Sequence, residues 1–434
     1  MNITVVALGK IGLPLAVQFA GRGHQVVGAD LAPRVVEMVN AGEEPFPGEA
    51  ELDVRLKAAV ESGALRATTD TTDAVRNSDA VVVVVPLYVD EDGTPDFGWI
   101  DDATRAIAAG LRPGTLVVYE TTLPMGTTRD RFGPLLAQGS GLRPGADFAL
   151  AFSPERVYTG RVFADLRRYP KLVGGIDAVS GQRAVDFYGQ VLEFDERPDL
   201  HRPNGVWDLG STEAAEMAKL AETTYRDVNI GLANQFARYA DAHGIDVHAV
   251  IEASNSQPFS HVHSPGIAVG GHCIPVYPRF YLWNAPSATI VRSAREANSA
   301  MPAYAVDVLE SAFGDLAGAR VAVLGASYRG GVKETAFSGV FPVVEELRAR
   351  GADVAVHDPM YSDAELGALG FAPYHVGERV DAVVVQADHG EYRDLTAAEL
   401  PGLRALVDGR GVVDLTRFPG VLVRVLGRSA RSER

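Results

Sequence analysis

Ile3 to Leu8 is an apolar, β-branched run, after which apolar positions recur at helical spacing through Leu15, Phe19 and Ala20. A second apolar run, Gln25 to Ala29, follows. Short continuous runs fit strands buried on both faces, and apolar positions three or four apart fit an amphipathic helix. Further strands are predicted at Ala80 to Val85, Thr115 to Glu120, Phe148 to Ala151 and Lys171 to Val173, with helices over Trp99 to Ala109 and Thr127 to Ala137. That alternation predicts a mostly parallel sheet. From Asp208 to His243 the pattern becomes one long helix, with Ala214, Met217, Ala218, Ala221, Val228, Leu232, Phe236 and Tyr239 near helical spacing. It is longer than one domain's face requires, which predicts a linker helix that also builds a subunit interface. Ser287 to Phe313 is a second helical stretch, interrupted near Met301-Pro302. A strand from Arg320 into Gly325, a helix near Val340 to Arg350, and strands at Asp353 to His357, Val380 to Gln386, Ala405 to Asp408 and Val421 to Val425 predict a second, smaller α/β unit. It echoes the first unit's opening without the full glycine pattern, so a second dinucleotide and another nucleotide are both open readings of it.

Composition narrows this picture. With 434 residues, two or three domains are expected, and 47% apolar with 22% charged residues describes a soluble globular chain. No apolar run reaches the ~20 residues of a membrane span. Met1-Asn2-Ile3-Thr4-Val5 reads as a first strand and not as a signal peptide. A formal charge of −16 argues against nucleic acid, whose phosphates need Lys/Arg surfaces, while leaving room for a small anion at a helix N-terminus. The single cysteine excludes an internal disulfide and fits a reducing cytoplasm. The polar, basic tail Gly427 to Arg434 is expected to fray.

Three stretches bear chemistry. Gly9-Lys10-Ile11-Gly12 lies between the first strand and helix, and Asp30 ends the second strand 18 residues after Gly12. Strand, glycine turn, helix, strand and acid form the dinucleotide-binding arrangement: pyrophosphate at the helix N-terminus, ribose hydroxyls on the carboxylate. Ala7 stands where the first glycine is expected, a change read as tightening the turn only slightly. Asp30 favours NAD over NADP, because a 2′-phosphate would meet its charge; Arg34 tempers that, or is a solvated surface side chain. Glu120-Thr121-Thr122 and Ser153-Pro154-Glu155-Arg156 fall at strand ends, where such sheets place ligand chemistry. Finally, Cys273 sits in Pro265-Gly266-Ile267-Ala268-Val269-Gly270-Gly271-His272-Cys273-Ile274-Pro275. A lone cysteine can be a small buried hydrophobe, but glycines that let backbone approach a ligand favour a catalytic thiol. Lys219 and Thr223 share a helix face by their i, i+4 spacing. His261, His263, His272 and Cys273 include zinc-type ligands, although their spacing fits no common knuckle.

In order along the chain, Gly9-Lys10-Ile11-Gly12-Leu13-Pro14, Glu120-Thr121-Thr122 with Pro124 and Gly126-Thr127-Thr128, Ser153-Pro154-Glu155-Arg156, Glu213 to Leu220, Tyr225 to Ile230 and Gly270 to Pro275 resemble the UDP-glucose/GDP-mannose dehydrogenase family. The His-Cys-Ile-Pro form is closer to bacterial UDP-N-acetylhexosamine dehydrogenases than to animal-type UDP-glucose enzymes. The resemblance implies an α/β fold of two Rossmann-like domains joined by a long central helix and a small helical domain. It divides the chain into an NAD-binding domain over 1–200, a central dimerisation domain with the cysteine loop over 201–302, and a nucleotide-sugar-binding domain over 303–434. It also implies a cytoplasmic homodimer, using NAD, that oxidises the C6 alcohol of a UDP-hexose or UDP-N-acetylhexosamine to the acid. Cys273 would be the nucleophile, Lys219 with Thr223 the oxyanion partners, Glu155 the general acid/base, and Thr122 the residue positioning water. NAD contacts fall on Gly9, Lys10, Ile11, Gly12, Asp30, Arg34, Pro86, Thr121 and Thr122. Substrate contacts fall on Glu155, Arg156, Val157, Lys219, His263, Gly266, Gly270, Tyr328 and Arg329, with no metal.

The chain also departs from the family pattern. Thr223 replaces an asparagine, Tyr277 an aspartate, Leu87-Tyr88 a Thr-Pro pair and Ala268 a glycine. Ala336 replaces an arginine, two residues beyond Tyr328-Arg329-Gly330-Gly331-Val332-Lys333-Glu334. An unusual nucleotide glycoside, or a halt after one oxidation, is the alternative these changes raise. An NAD-binding sensor would have no need of the thiol, lysine and glutamate, and hydroxyacid-dehydrogenase chemistry needs no cysteine.

Overall fold

The computed structural model describes residues 1–90 and 93–428, and the chain divides into two compact units, Met1–Ala221 and Glu222–Arg434. The first unit holds β1 (Asn2–Val6), β2 (Gln25–Ala29), β3 (Leu65–Thr68), β4 (Ala80–Val83), a small hairpin of β5 (Tyr88–Val89) and β6 (Pro95–Asp96), β7 (Leu116–Tyr119), β8 (Ala149–Phe152), β9 (Lys171–Gly175) and β10 (Val206–Asp208). Its eight-stranded sheet has the order β10-β9-β8-β7-β4-β1-β2-β3. Neighbours are parallel from β3 across to β8, β9 turns antiparallel to β8, and β10 follows β9 in parallel. The central strands are covered on both faces, which is why β4 and β7 are apolar and buried without alternation. Strand order reverses between β1 and β4, so the crevice beyond their carboxyl ends is where such sheets take ligands.

The second unit holds β11 (Arg320–Leu324), β12 (Asp353–His357), β13 (Ala372–Pro373), β14 (Ala382–Val385), β15 (Ala405–Asp408) and β16 (Leu422–Val425). They form a parallel sheet in the order β13-β12-β11-β14-β15-β16. Side chains alternate between its two cores: Val321 and Val323 enter one, Ala322 and Leu324 the other. Both units are Rossmann-like. No described helix is long and apolar enough to cross a membrane.

Several predicted elements shift. Ala7 and Leu8 leave the first strand to make the turn. The helix expected over Thr127 to Ala137 is a π turn, Thr128–Phe132, followed by an α-helix, Gly133–Ser140. Pro134 explains it: it has no N–H to give and its ring crowds the carbonyl four residues back, so the preceding turn widens. The helix expected from Asp208 starts at Thr212 and runs to His243, about 48 Å of helix. Asp208 instead ends β10, and its carboxylate accepts the N–H of Gly210, whose φ of 86° begins the turn into the helix. Of the tail expected to fray, 429–434 lie outside the described residues. Gly427 and Arg428 are tied down: Gly427 C=O accepts Val247 N–H at 2.7 Å, and Arg428 pairs with Asp246 at 2.9 Å.

Along the long helix the second unit is lined by small residues. Ala233, Ala237 and Ala240 are buried and pack with Val247 and Ile251. The larger apolar residues Tyr225, Leu232, Phe236 and Tyr239 are exposed on a separate stripe.

Candidate active site

In the first unit the turn after β1 is built on Ala7, whose φ is +76°. A Cβ on Gly12 would lie 1.9 Å from the Ala7 carbonyl oxygen, so only glycine lets the helix start that close to the strand. A Cβ on Gly9 would meet nothing within 4 Å: this glycine borders open space at the helix N-terminus. Asp30 braces the turn, one carboxylate oxygen accepting Leu8 N–H at 2.8 Å and the other Ala32 N–H at 2.9 Å. A carboxylate oxygen accepts more than one hydrogen bond, so Asp30 retains capacity for ribose hydroxyls. Ile11 precedes the helix, and Lys10, Arg34 and Pro86 are exposed around it. Thr121 Oγ1 donates to Val85 C=O at 2.6 Å, joining the ends of two strands, and Thr122 beside it is buried. An open glycine, a helix N-terminus and a braced acid suit a dinucleotide.

At the neighbouring strand ends lies a charge cluster that sequence reasoning overlooked. Lys171 Nζ donates to Glu120 Oε2 at 2.7 Å and to Glu155 Oε2 at 2.8 Å, and Tyr188 OH donates to Glu120 Oε1 at 2.5 Å. Burial pushes Glu120 well above the carboxylate range. Burial also works on Glu155, but Lys171 and the hydrogen bonds reaching it outweigh this and hold it below its ordinary value. The signal available was Lys171, the one charged residue opening an otherwise apolar strand. Arg156 N–H donates to Glu155 Oε1 at 2.7 Å, and Val157 packs against the core. Lys219 Nζ donates to Glu155 C=O at 2.6 Å, so the structure brings the predicted lysine and glutamate together through the latter's backbone. Glu216, on the same helix, accepts Gly126 N–H, Thr128 N–H and Thr128 Oγ1–H at 2.6, 2.9 and 2.7 Å, fixing the Gly126-Thr127-Thr128 loop. Thr223 lies one helical turn beyond Lys219 and is fully buried.

In the second unit Cys273 is exposed, not a packing residue. Its carbonyl accepts Tyr277 N–H at 2.9 Å, placing the thiol-bearing residue at the start of the helix Tyr277–Asn284. Gly271 N–H donates to Ala336 C=O at 2.8 Å, and His272 Nε2 lies 3.3 Å from Glu334 Oε2. Cβ atoms on Gly270 and Gly271 would come within 2.5 and 3.2 Å of Tyr328. These glycines therefore serve close packing against Tyr328, whose hydroxyl accepts Arg329 Nε–H at 3.1 Å. Two asparagines on the long helix hold the loop leading to the cysteine. Asn229 accepts His263 N–H at 2.9 Å and donates to His261 C=O at 2.6 Å, while Asn234 accepts Gly266 N–H at 2.9 Å. Partial burial lowers the His263 imidazole pKa. Arg410, also missed, donates to Gln386 C=O and Tyr328 C=O and borders a cavity of about 440 Å³ with Asp388, Arg393 and Val412. Among the described residues, no three His, Cys, Asp or Glu side chains gather as a metal would require.

A dinucleotide crevice with buried acid, lysine and glutamate beside it, an exposed thiol behind a glycine loop, and a second Rossmann-like sheet fit an NAD-dependent oxidoreductase. Comparison with known proteins gives the family. Residues 1–192 match the NAD binding domain of the UDP-glucose/GDP-mannose dehydrogenase family, 213–300 its central domain and 322–416 its UDP binding domain. The chain belongs to that family and is a nucleotide-sugar dehydrogenase. It is 35% identical to the UDP-N-acetyl-D-mannosamine dehydrogenase of Pyrococcus horikoshii, over 99% of both chains. It is 33% identical to the NDP-N-acetyl-D-galactosaminuronic acid dehydrogenase of Ralstonia nicotianae, over 96% of this chain and 97% of the other. Among solved structures, UDP-D-ManNAc dehydrogenase from P. horikoshii superposes with a TM-score of 0.87 at 33% identity, over 99% of both chains. A UDP-glucose dehydrogenase from Pyrobaculum islandicum gives 0.85 at 28%, over 99% and 98%.

Proposed function

We propose that this chain oxidises the C6 alcohol of a UDP-N-acetylhexosamine to the uronic acid in two steps through a covalent bond to Cys273. The observation that carries the reading is the exposed Cys273 at the end of a tightly packed glycine loop, in a chain whose full-length relatives are named for N-acetylhexosamine nucleotides. Gly9, Lys10, Ile11, Gly12, Asp30, Arg34, Pro86, Thr121 and Thr122 would hold NAD⁺, which would supply the hydride acceptor for each oxidation. The thiolate of Cys273 adds to the intermediate aldehyde as a thiohemiacetal, whose oxidation leaves a thioester. Glu155, ionised, serves as acid/base for the hydrolysis, with Thr122 ordering water. Lys219 and Thr223 stabilise oxyanions. Water and two NAD⁺ are consumed, and two NADH, two protons and the acid are formed. Arg156, Val157, His263, Gly266, Gly270, Tyr328 and Arg329 line the substrate's path. The division into domains over 1–200, 201–302 and 303–434 follows the three roles. A homodimer in the cytoplasm completes the reading, formed through the exposed stripe of Tyr225, Leu232, Phe236 and Tyr239; light scattering at twice the monomer mass supports that part, and a monomer removes it.

The test is NADH formed per sugar across UDP-N-acetylmannosamine, UDP-N-acetylglucosamine, UDP-glucose and GDP-mannose, with products identified by mass spectrometry. Two NADH and an acid support the reading; one NADH and an aldehyde mean that Thr223 and Tyr277 have moved the end point. Cys273→Ala should abolish acid formation, and acid at near-normal rate would defeat the covalent route. Tyr277→Asp should speed hydrolysis if that step is slow.

A further inference from the structure

We propose that Glu120 and Glu155 hold a single proton between them, which makes Glu120 the positioning residue that keeps Glu155 ionised and able to accept protons. The three charged groups share a sealed space. Glu120 is 1% exposed and Lys171 4%, and the Glu155 side chain alone of the three opens appreciably outward, at 12%. Two ionised carboxylates against one ammonium would leave a net negative charge where water cannot screen it, and two neutral ones would strand Lys171 as a buried cation. One proton makes the cluster neutral. The donors around it balance and enclosure decides its place. Lys171 reaches both acids, Tyr188 from the helix Ala178–Val191 adds a second donor to Glu120, and the Arg156 N–H adds a second donor to Glu155, while Lys219 meets the Glu155 backbone carbonyl. The more enclosed acid therefore stores the proton and the outward one stays ionised, in keeping with the opposite displacements of their titrations. This is the carboxylate-pair principle in which like charges at one site separate the two titrations.

The catalytic meaning rests on the proposed acid/base role of Glu155, so the experiment is divided. Infrared difference spectra of the full-length enzyme at neutral pH should show a carboxylic-acid band in the wild type that is lost in Glu120→Gln. The same band should also be lost in Glu155→Gln, because the remaining carboxylate then pairs one-to-one with Lys171 and gives up its proton. Retention of the band in Glu155→Gln would overturn the shared proton, leaving Glu120 protonated by burial alone. Absence of any wild-type band lost in Glu120→Gln would do the same. Glu216, another buried carboxyl, contributes equally to every spectrum and cancels in the differences. If Glu155→Gln fails to fold, the pH profile of Glu120→Gln carries the test, and neither spectrum depends on turnover or on Cys273, so failure of the covalent route leaves this result intact. The second readout is kcat against pH. Loss of the stored proton should give the wild type an alkaline limb that is absent or displaced in Glu120→Gln, whereas a packing role would scale the whole curve without changing its shape and would overturn the proposal.

Discussion

After β1 and after β11 the chain makes the same turn. Ala7 N–H donates to Ala29 C=O at 2.8 Å, and Gly325 N–H to His357 C=O at 2.7 Å. One residue on, Leu8 N–H reaches Asp30 and Ala326 N–H reaches Asp358, at 2.8 and 2.9 Å. Both turns open with positive φ, +76° at Ala7 and +109° at Gly325. There the likeness ends. In the first unit the helix begins at Gly12. In the second it waits until Val340, and the intervening loop folds into the crevice: Gly330 N–H meets Asp388 Oδ1 at 2.7 Å and Gly331 N–H meets His389 Nδ1. Asp358 is sealed, accepting Ala326, Ser327 and Met360 N–H and the Nε2–H of His389. One acid is half-exposed; the other is a buried keystone. The second unit thus keeps the dinucleotide fold's framework while its acid is withdrawn from ribose, in accord with a UDP binding domain rather than a second NAD site.

The largest expected effect tests the keystone. Asp358→Ala strips an acceptor from three backbone N–H groups and from His389, and should cost about 3–5 kcal/mol of stability. Asp30→Ala removes two acceptors nearer to solvent, so it should cost less, about 1 kcal/mol, and raise the NADH Kd about 10-fold, read by nicotinamide fluorescence. Equal stability losses would erase the distinction. Acid sharpens it. Burial alone would raise the Asp358 pKa, but His389 and the backbone N–H groups outweigh burial and hold it at about 2, below its ordinary 3.8. Its folded-state value is the depressed one, so its stabilisation is complete above the ordinary value and lost as pH falls through about 2. About 2 kcal/mol of the wild-type advantage over Asp358→Ala should therefore fade over that window in denaturant titrations.

The next effect separates the two glycines of the first crevice. Gly12→Ala forces a Cβ onto the Ala7 carbonyl and should lose about 1–3 kcal/mol together with NADH binding. Gly9→Ala has open space and should lose NADH binding with stability unchanged. Thermal melts beside fluorescence titrations decide it; a stability loss at Gly9 would mean that the space is not reserved for a ligand.

Much of this was legible from the chain. Continuous apolar runs such as Ala80 to Val83 and the spacing from Gly12 to Asp30 report constraints that act within a strand or a turn, so the sheets and the first crevice could be read from them. The clustering of Lys171, Tyr188 and Glu120 could not, although Glu120 stands out at a strand end and Lys171 opens an apolar strand, because they come together only when β7, β9 and a helix meet. Asn229 and Asn234 likewise look like ordinary helix-surface polar residues until the loop from His261 to Gly266 returns to them. On the long helix, Ala233, Ala237 and Ala240 pack within the unit while Leu232, Phe236 and Tyr239 face out. Spacing identifies a stripe, and close helix packing favours the small one.

The smallest effect concerns Ala7, whose lack of a glycine was expected to matter little. At φ +76° its methyl group is held against the following carbonyl, a strain of about 1–2 kcal/mol. Gly325, its counterpart, carries no such strain. Ala7→Gly should relieve it while adding about 0.5–1 kcal/mol of unfolded-state entropy to overcome, leaving a net stabilisation of about 0.5–1 kcal/mol. Gly325→Ala should do the opposite and more, since a Cβ there would lie 2.4 Å from that of Ala387. Denaturant midpoints measure both. If Ala7→Gly instead destabilises, the methyl group must be holding the turn in the shape that Gly12 and Asp30 require; NADH affinity would then fall with it. If stability rises and NADH affinity holds, the strain at Ala7 serves neither fold nor cofactor, and the two turns differ only in how their loops continue.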